Sequence, residues 1–213
     1  MDYIIDIRNI TKKFKDAIIL KDISIRVEKG TICGLIGKNG SGKTVLMKVI
    51  CGFIIPDEGN VFVAGSHIGV DCDFPGNVGV IIENPGFAQY ISGEKNLRNL
   101  ASIRKKIGNE KIKKVMEQVG LDFSDKKRVS KYSLGMRQRL GIAQAIMEEQ
   151  DILILDEPMN GLDNQGVEEM RELFLELKKQ GKTILLASHS KEDIAVLCDK
   201  VYEMNQGALT KVR

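Results

Sequence analysis

Residues Gly37 to Thr44 read GKNGSGKT and match the phosphate-loop pattern G-x-x-x-x-G-K-[ST] at every specified position. The flanks supply the context that the motif needs, a strand before and a helix after. Thr31 to Ile36 (TICGLI) reads as a short buried strand, and Val45 to Cys51 (VLMKVIC) as the opening turns of an apolar-faced helix. Without a Cβ at Gly37, Gly40 and Gly42 the chain can wrap tightly and turn successive N–H groups inward, where a helix N-terminus adds positive potential. The backbone of Gly37, Lys38, Asn39, Gly40, Ser41, Gly42 and on to Val45 is therefore the expected cradle for a nucleotide triphosphate. Lys43 is expected at the β- and γ-phosphates and the Thr44 hydroxyl on Mg²⁺. A chance match in a chain this long is on the order of 1% from residue frequencies.

The chain has 213 residues, 43% hydrophobic and 29% charged, which suits one globular unit with room for a smaller lobe. Cys33, Cys51, Cys72 and Cys198 are far apart, with no C-x-x-C spacing, so they read as small buried hydrophobes in a reducing compartment and not as a zinc site or disulfide framework. No apolar run approaches the roughly 18 residues of a membrane span, and the start, MDYIIDIRN, lacks a leader pattern. Net charge is +3 and dispersed, which disfavours a nucleic-acid partner. The basic segment Arg104 to Lys114 reads as the solvated face of a helix whose apolar face is Ile112, Val115, Met116 and Val119.

Upstream of the loop, Tyr3 to Arg8 and Ile18 to Val27 alternate like half-buried strands, and Asn60 to Ala64 returns as a third, after a turn at Pro56 to Gly59. Between the first two, Phe14 lies among Lys12, Lys13 and Lys15, where it suits either stacking on an adenine ring or a place in the core. Val78 to Ile82 is a continuous apolar run of the buried parallel kind, ending in Glu83, Asn84, Pro85 and Gly86. Residues 87–149 show helical patterns only, at Glu94 to Ile103, Glu110 to Val119 and Leu134 to Met147, and read as an inserted lobe.

The strand ILILD then delivers Asp156 and Glu157 side by side at its C-terminal end, where ligands gather in open α/β sheets. Adjacent carboxylates there call for a cation. Asp156 is the expected Mg²⁺ ligand and Glu157 the base for an attacking water. The strand Thr183 to Ala187 ends in Ser188 and His189, and that placement favours a catalytic or sensing imidazole. Ser190 begins a helix in an S-x-x-D capping pattern with Asp193.

Taken in order, these motifs resemble the ATP-binding-cassette (ABC) ATPases over essentially the whole chain. Phe14 matches the adenine-stacking aromatic, Gly37 to Thr44 the Walker A loop, Ile152 to Glu157 the Walker B strand, Asn160 to Asp163 the D-loop, and His189 the switch histidine. Tyr132 to Arg139 (YSLGMRQR) resembles the signature usually written LSGGQ, with Leu134 and Met136 in place of a glycine and the glutamine. Glu83 stands where the family has a Q-loop glutamine. Both departures resemble the bacitracin-resistance and lantibiotic-immunity branch of exporters.

The resemblance implies a P-loop α/β core (1–86 and 150–213) carrying an antiparallel β subdomain, and a helical signature subdomain (87–149). It further implies a head-to-tail homodimer closed by two ATP molecules, in which Ser133, Gly135 and Asp163 of one copy face the phosphate loop of the other. Mg²⁺ would be held by Thr44, Asp156 and Glu83. The expected role is the ATPase subunit of an exporter, cytoplasmic and peripheral to the membrane through a separate spanning subunit that docks near Glu83 to Leu97, with Phe87 and Tyr90 among its contacts. The alternatives are a soluble ABC ATPase of DNA repair or translation, which the lack of long coiled coils or a second cassette disfavours, and a binding module without turnover, which Glu157 before Pro158 disfavours.

Overall fold

The computed structural model describes residues 3–15, 17–83 and 85–213; Met1, Asp2, Asp16 and the Asn84 of the expected Q-loop turn lie outside the described residues. Two long strands open the chain, β1 (Tyr3–Phe14) and β2 (Ala17–Glu28), paired antiparallel from Tyr3 opposite Glu28 to Phe14 opposite Ala17. With β4 (Glu58–Val63) and the short β5 (Ser66–His67) they form a sheet in the order β2-β1-β4-β5. Both opening strands run further than alternation suggests, because bulges in the β1–β2 ladder absorb the breaks in pattern.

The second sheet contains β3 (Ile32–Ile36), β6 (Val78–Ile81), β7 (Ile152–Asp156), β8 (Thr183–Ala187), β9 (Lys200–Asn205) and β10 (Ala208–Lys211), in the order β10-β9-β3-β8-β7-β6. All its pairs are parallel except β9 with β10, which close the chain as a hairpin. The inner strands are apolar on both sides because both sides are covered. In β7, Leu153 and Leu155 face one hydrophobic cluster while Ile152 and Ile154 face the other. The first cluster joins the sheet to α2 (Gly93–Arg104), α3 (Asn109–Gln118), α4 (Leu134–Ile146) and α5 (Asn164–Lys179); the second joins it to α1 (Lys43–Ile50) and the antiparallel sheet.

The helices of residues 93–146 agree with the periodicity within two residues at each end. Ser92 and Ser133 start α2 and α4 by accepting hydrogen bonds from the N–H groups of Lys95 and Met136, and Asp163 starts α5 through Gly166 N–H. The last helix, α6 (Lys191–Leu197), departs from the reciprocal capping box. Ser190 Oγ accepts from Asp193 N–H, but the Asp193 carboxylate turns away from the helix end to Arg171 and Ser188. Of the basic face of α3, Lys111 is tied to Glu149, and Arg104 at the end of α2 to Glu148 at 3.0 Å. Cys33, Cys51 and Cys198 are buried free thiols, and Cys72 is half-buried.

Candidate active site

Strand order decides the site. The phosphate loop follows β3, the Ser188-His189 pair follows β8, Asp156 and Glu157 end β7, and Glu83 follows β6, so adjacent parallel strands deliver all four segments to one edge. A cleft of about 450 Å³ lies there. Its walls are Asn39 to Thr44 of the loop, Asp156, Glu157 and Asn160 after β7, Glu83 after β6, and Leu134 and Gln138 of α4.

Within the loop Gly37, Gly40 and Gly42 all have positive φ, and a Cβ on Gly37 would fall 2.3 Å from the Met204 carbonyl oxygen. Both conformation and space demand glycine there. Lys43 is buried and donates to the carbonyls of Gly37 at 2.6 Å and Lys38 at 3.2 Å. Thr44 Oγ1 donates to Asp156 Oδ2 at 2.6 Å across 112 residues of sequence. The two make a pair of hard oxygen donors, the chemistry Mg²⁺ takes when phosphates and water complete its shell. The side chain of Val45 packs against the second hydrophobic cluster, which leaves only its backbone for a ligand.

Glu157 and His189 meet directly. The imidazole Nδ1 lies 2.8 Å from Glu157 Oε2, and the His189 backbone N–H donates to the same oxygen at 3.4 Å. An ionised carboxylate only accepts, so in this contact Nδ1 carries the proton. The histidine side chain is 70% exposed and that of Glu157 25%. Glu157 itself has φ 50, in the left-handed region, with its N–H donating to Ala187 O at 3.0 Å and its carbonyl accepting from Asn160 N and Gln138 Nε2, each at 3.1 Å.

Glu83 also has positive φ, at 60, and stands at the cleft with its carboxylate paired to Lys48 Nζ at 2.6 Å. A lysine from α1 thus supplies this carboxylate with a counter-charge. Nothing in the order of residues pointed to Lys48, which meets Glu83 from 35 positions away in the chain.

Other expected residues sit apart from the cleft. Phe14 ends β1 at 44% exposure with Lys12 Nζ 5.5 Å from its ring centre, which removes the core alternative and leaves an open aromatic face. Ser133 and Gly135 begin α4 on the helical side; Leu134 packs on Gly161, while Asp163 caps its own helix. Of the two expected docking contacts, Phe87 is buried at 7% in the helical cluster and Tyr90 is 73% exposed. The surrounding apolar cluster holds the Phe87 ring inside.

The sequence profile of the family described as ABC transporter matches residues 20–160. The chain is 46% identical over 205 residues to the uncharacterized ABC transporter ATP-binding protein YybJ of Bacillus subtilis, covering 96% of this chain and 94% of that one. It is 40% identical over 213 residues to the bacitracin transport ATP-binding protein BcrA of Enterococcus faecalis, covering 99% of this chain and 69% of that one. Among solved structures it is similar to the dimeric structure of MJ0796, a bacterial ABC transporter cassette, with a TM-score of 0.86 at 21% identity over 98% of this chain and 99% of that one. It is also similar to the ADP conformation of MJ1267, an ATP-binding cassette of an ABC transporter, with a TM-score of 0.83 at 26% identity over 100% of this chain and 92% of that one.

Proposed function

Because the chain belongs to the ABC transporter family, as an ATP-hydrolysing, ATP-binding subunit, we propose that it powers export through a separate membrane-spanning subunit, with an antimicrobial peptide of the bacitracin kind as cargo. The hydrolytic part is carried by one observation, the Glu157–His189 contact at 2.8 Å beside the Thr44–Asp156 contact at 2.6 Å. The cargo class is supported by likeness to the bacitracin transport proteins. Among the described residues no helix is long and apolar enough to cross a membrane. The proposal places the cassette at the cytoplasmic face, attached through its partner.

In this reading residues 1–86 and 150–213 form the ATP-binding core and 87–149 the signature subdomain. The N–H groups of the loop and Lys43 hold the phosphates, and Phe14 offers its exposed face to the adenine. Thr44 and Asp156 are the residues that would hold Mg²⁺, which when bound offsets phosphate charge. Glu157 takes a proton from the attacking water, and His189 keeps that carboxylate oriented from the neighbouring strand. The N-terminus of α4, with Ser133 and Gly135, offers N–H groups and a hydroxyl to an anion from outside the protomer's own cleft. A second copy placed head to tail would bring them, with Asp163, to the γ-phosphate.

Light scattering of Glu157→Gln with ATP and Mg²⁺ tests the dimer. The variant should lose turnover by about 10² to 10⁴-fold while still binding, and so accumulate as a dimer. A monomer with wild-type turnover would refute it. Co-expression with a candidate membrane subunit should raise bacitracin tolerance in a manner abolished by Lys43→Ala; unchanged tolerance would remove the cargo assignment.

A further inference from the structure

Behind the Glu157–His189 contact lies a buried ionic cluster outside the nucleotide-binding motifs. Arg171 of α5 and Asp193 of α6 are each only 5% exposed. The guanidinium grips one carboxylate oxygen twice, from Nε at 3.0 Å and Nη2 at 2.5 Å. Its remaining Nη1 reaches Glu168 at 2.5 Å and Glu192 at 3.2 Å, both exposed. The other Asp193 oxygen accepts from Ser188 Oγ at 3.2 Å, and Ser188 Oγ in turn accepts from Ser190 N–H at 3.1 Å. Ser188 and Ser190 are the two chain neighbours of His189.

We propose that Arg171, Asp193 and Ser188 are positioning residues for the hydrolytic site, clamping the backbone on both sides of His189 so that its ring meets Glu157. The reason lies in how little else holds the ring. At 70% exposure the imidazole has little packing to fix it, so its place is set by the loop backbone. That loop is short, running from the end of β8 at Ala187 to the start of α6 at Lys191. A serine hydroxyl can bond in several directions, and the Asp193 carboxylate, aimed by two guanidinium N–H groups, selects one. Capping does not need that carboxylate, since the end of α6 is satisfied by Ser190. A desolvated ion pair is also a poor source of stability, because taking both charges out of water cancels most of their attraction. Its contribution here is direction.

The proposal rests on the hydrolytic reading of Glu157 and His189, and the test separates the two. Arg171→Met combined with Asp193→Leu replaces the pair with apolar side chains of similar reach, which preserves packing between α5 and α6. Ser188→Ala removes only the hydroxyl, and Ser188→Thr retains one. Each protein is measured for kcat and KM with MgATP, for thermal stability, and by ¹⁵N resonances of its imidazoles at about pH 8, where neutral rings report their tautomer. The chain has two histidines, so His67→Gln assigns the spectrum.

The double variant and Ser188→Ala should melt like wild type and keep KM within about twofold, yet lose between about 10 and 10²-fold in kcat. The His189 ring should pass from the Nδ1-protonated pattern to the mixture of a free imidazole, and Ser188→Thr should restore both readings. Wild-type kcat in the double variant, or an unmoved His189 tautomer, overturns the proposal and reduces the cluster to a staple between helices. If the wild-type protein itself fails to hydrolyse ATP, the functional reading falls, while the tautomer still decides whether the cluster places the ring.

Discussion

Replacing Glu157 by glycine should give a protein more stable than replacing it by alanine, the reverse of the usual order inside folded elements. Both changes delete the carboxylate and its contact with His189, so those losses cancel in the comparison. What differs is the backbone. At φ 50 the residue is left-handed, locked by bonds to Ala187, Asn160 and Gln138 that the side chain does not make. An L-residue with a Cβ there costs about 1 to 2 kcal/mol. Glycine escapes that cost but gives back about 0.4 to 1 kcal/mol through the greater freedom of its unfolded chain. The difference leaves Glu157→Gly ahead by about 1 kcal/mol, or about 2 to 4 °C in Tm for a protein of this size. Urea or thermal unfolding followed by circular dichroism measures it, and both variants should lose turnover alike. If Glu157→Ala proves the more stable, the claim that the strand end holds Glu157 in a strained conformation is wrong.

The Glu83–Lys48 pair is largely solvated on the glutamate side, so breaking it should cost under about 1 kcal/mol of stability, while the charge at the cleft changes by a full unit. Lys48→Met should therefore lower the Mg²⁺ concentration for half-maximal ATPase rate and Glu83→Gln should raise it; superimposable titrations for both would exclude electrostatic contact between this pair and the nucleotide site. Burial pushes the thiols of Cys33, Cys51 and Cys198 up to about 12, so at neutral to mildly alkaline pH they stay protonated and unreactive. Mass spectrometry after brief alkylation of the native protein should find the half-buried Cys72 modified first, and early labelling of Cys33 would contradict the packing. Gly79 of β6 lies so close to α4 that a Cβ would fall 1.9 Å from the Ala145 carbonyl oxygen. Gly79→Ala should accordingly destabilise by about 1 to 3 kcal/mol in denaturant unfolding, and a neutral result would mean that α4 can shift without cost.

What could be read along the chain was whatever a few neighbouring residues encode. The loop GKNGSGKT carries its own conformational demand in three glycines, the apolar runs of β6, β7 and β8 announce strands covered on both faces, and the cap Ser190 marks a helix start within one turn. Asp156 and Glu157 were legible because two adjacent acids at the end of a buried apolar run repel each other unless a cation or a proton donor faces them. Strand order was not legible from spacing alone. Only the arrangement β3-β8-β7-β6 puts Thr44 against Asp156, 112 positions away, and Glu157 against His189, 32 away. The same holds for Lys48 meeting Glu83, for Phe87 turning into the helical cluster, and for Arg171 closing on Asp193. Each is a contact between layers, and its partners are chosen by how apolar faces stack, a condition spread over the whole chain. Local sequence carries no record of which lysine or arginine the packing will bring beside a given carboxylate. Tertiary structure alone decided that Glu83 has a counter-ion and that His189 has a clamp behind it.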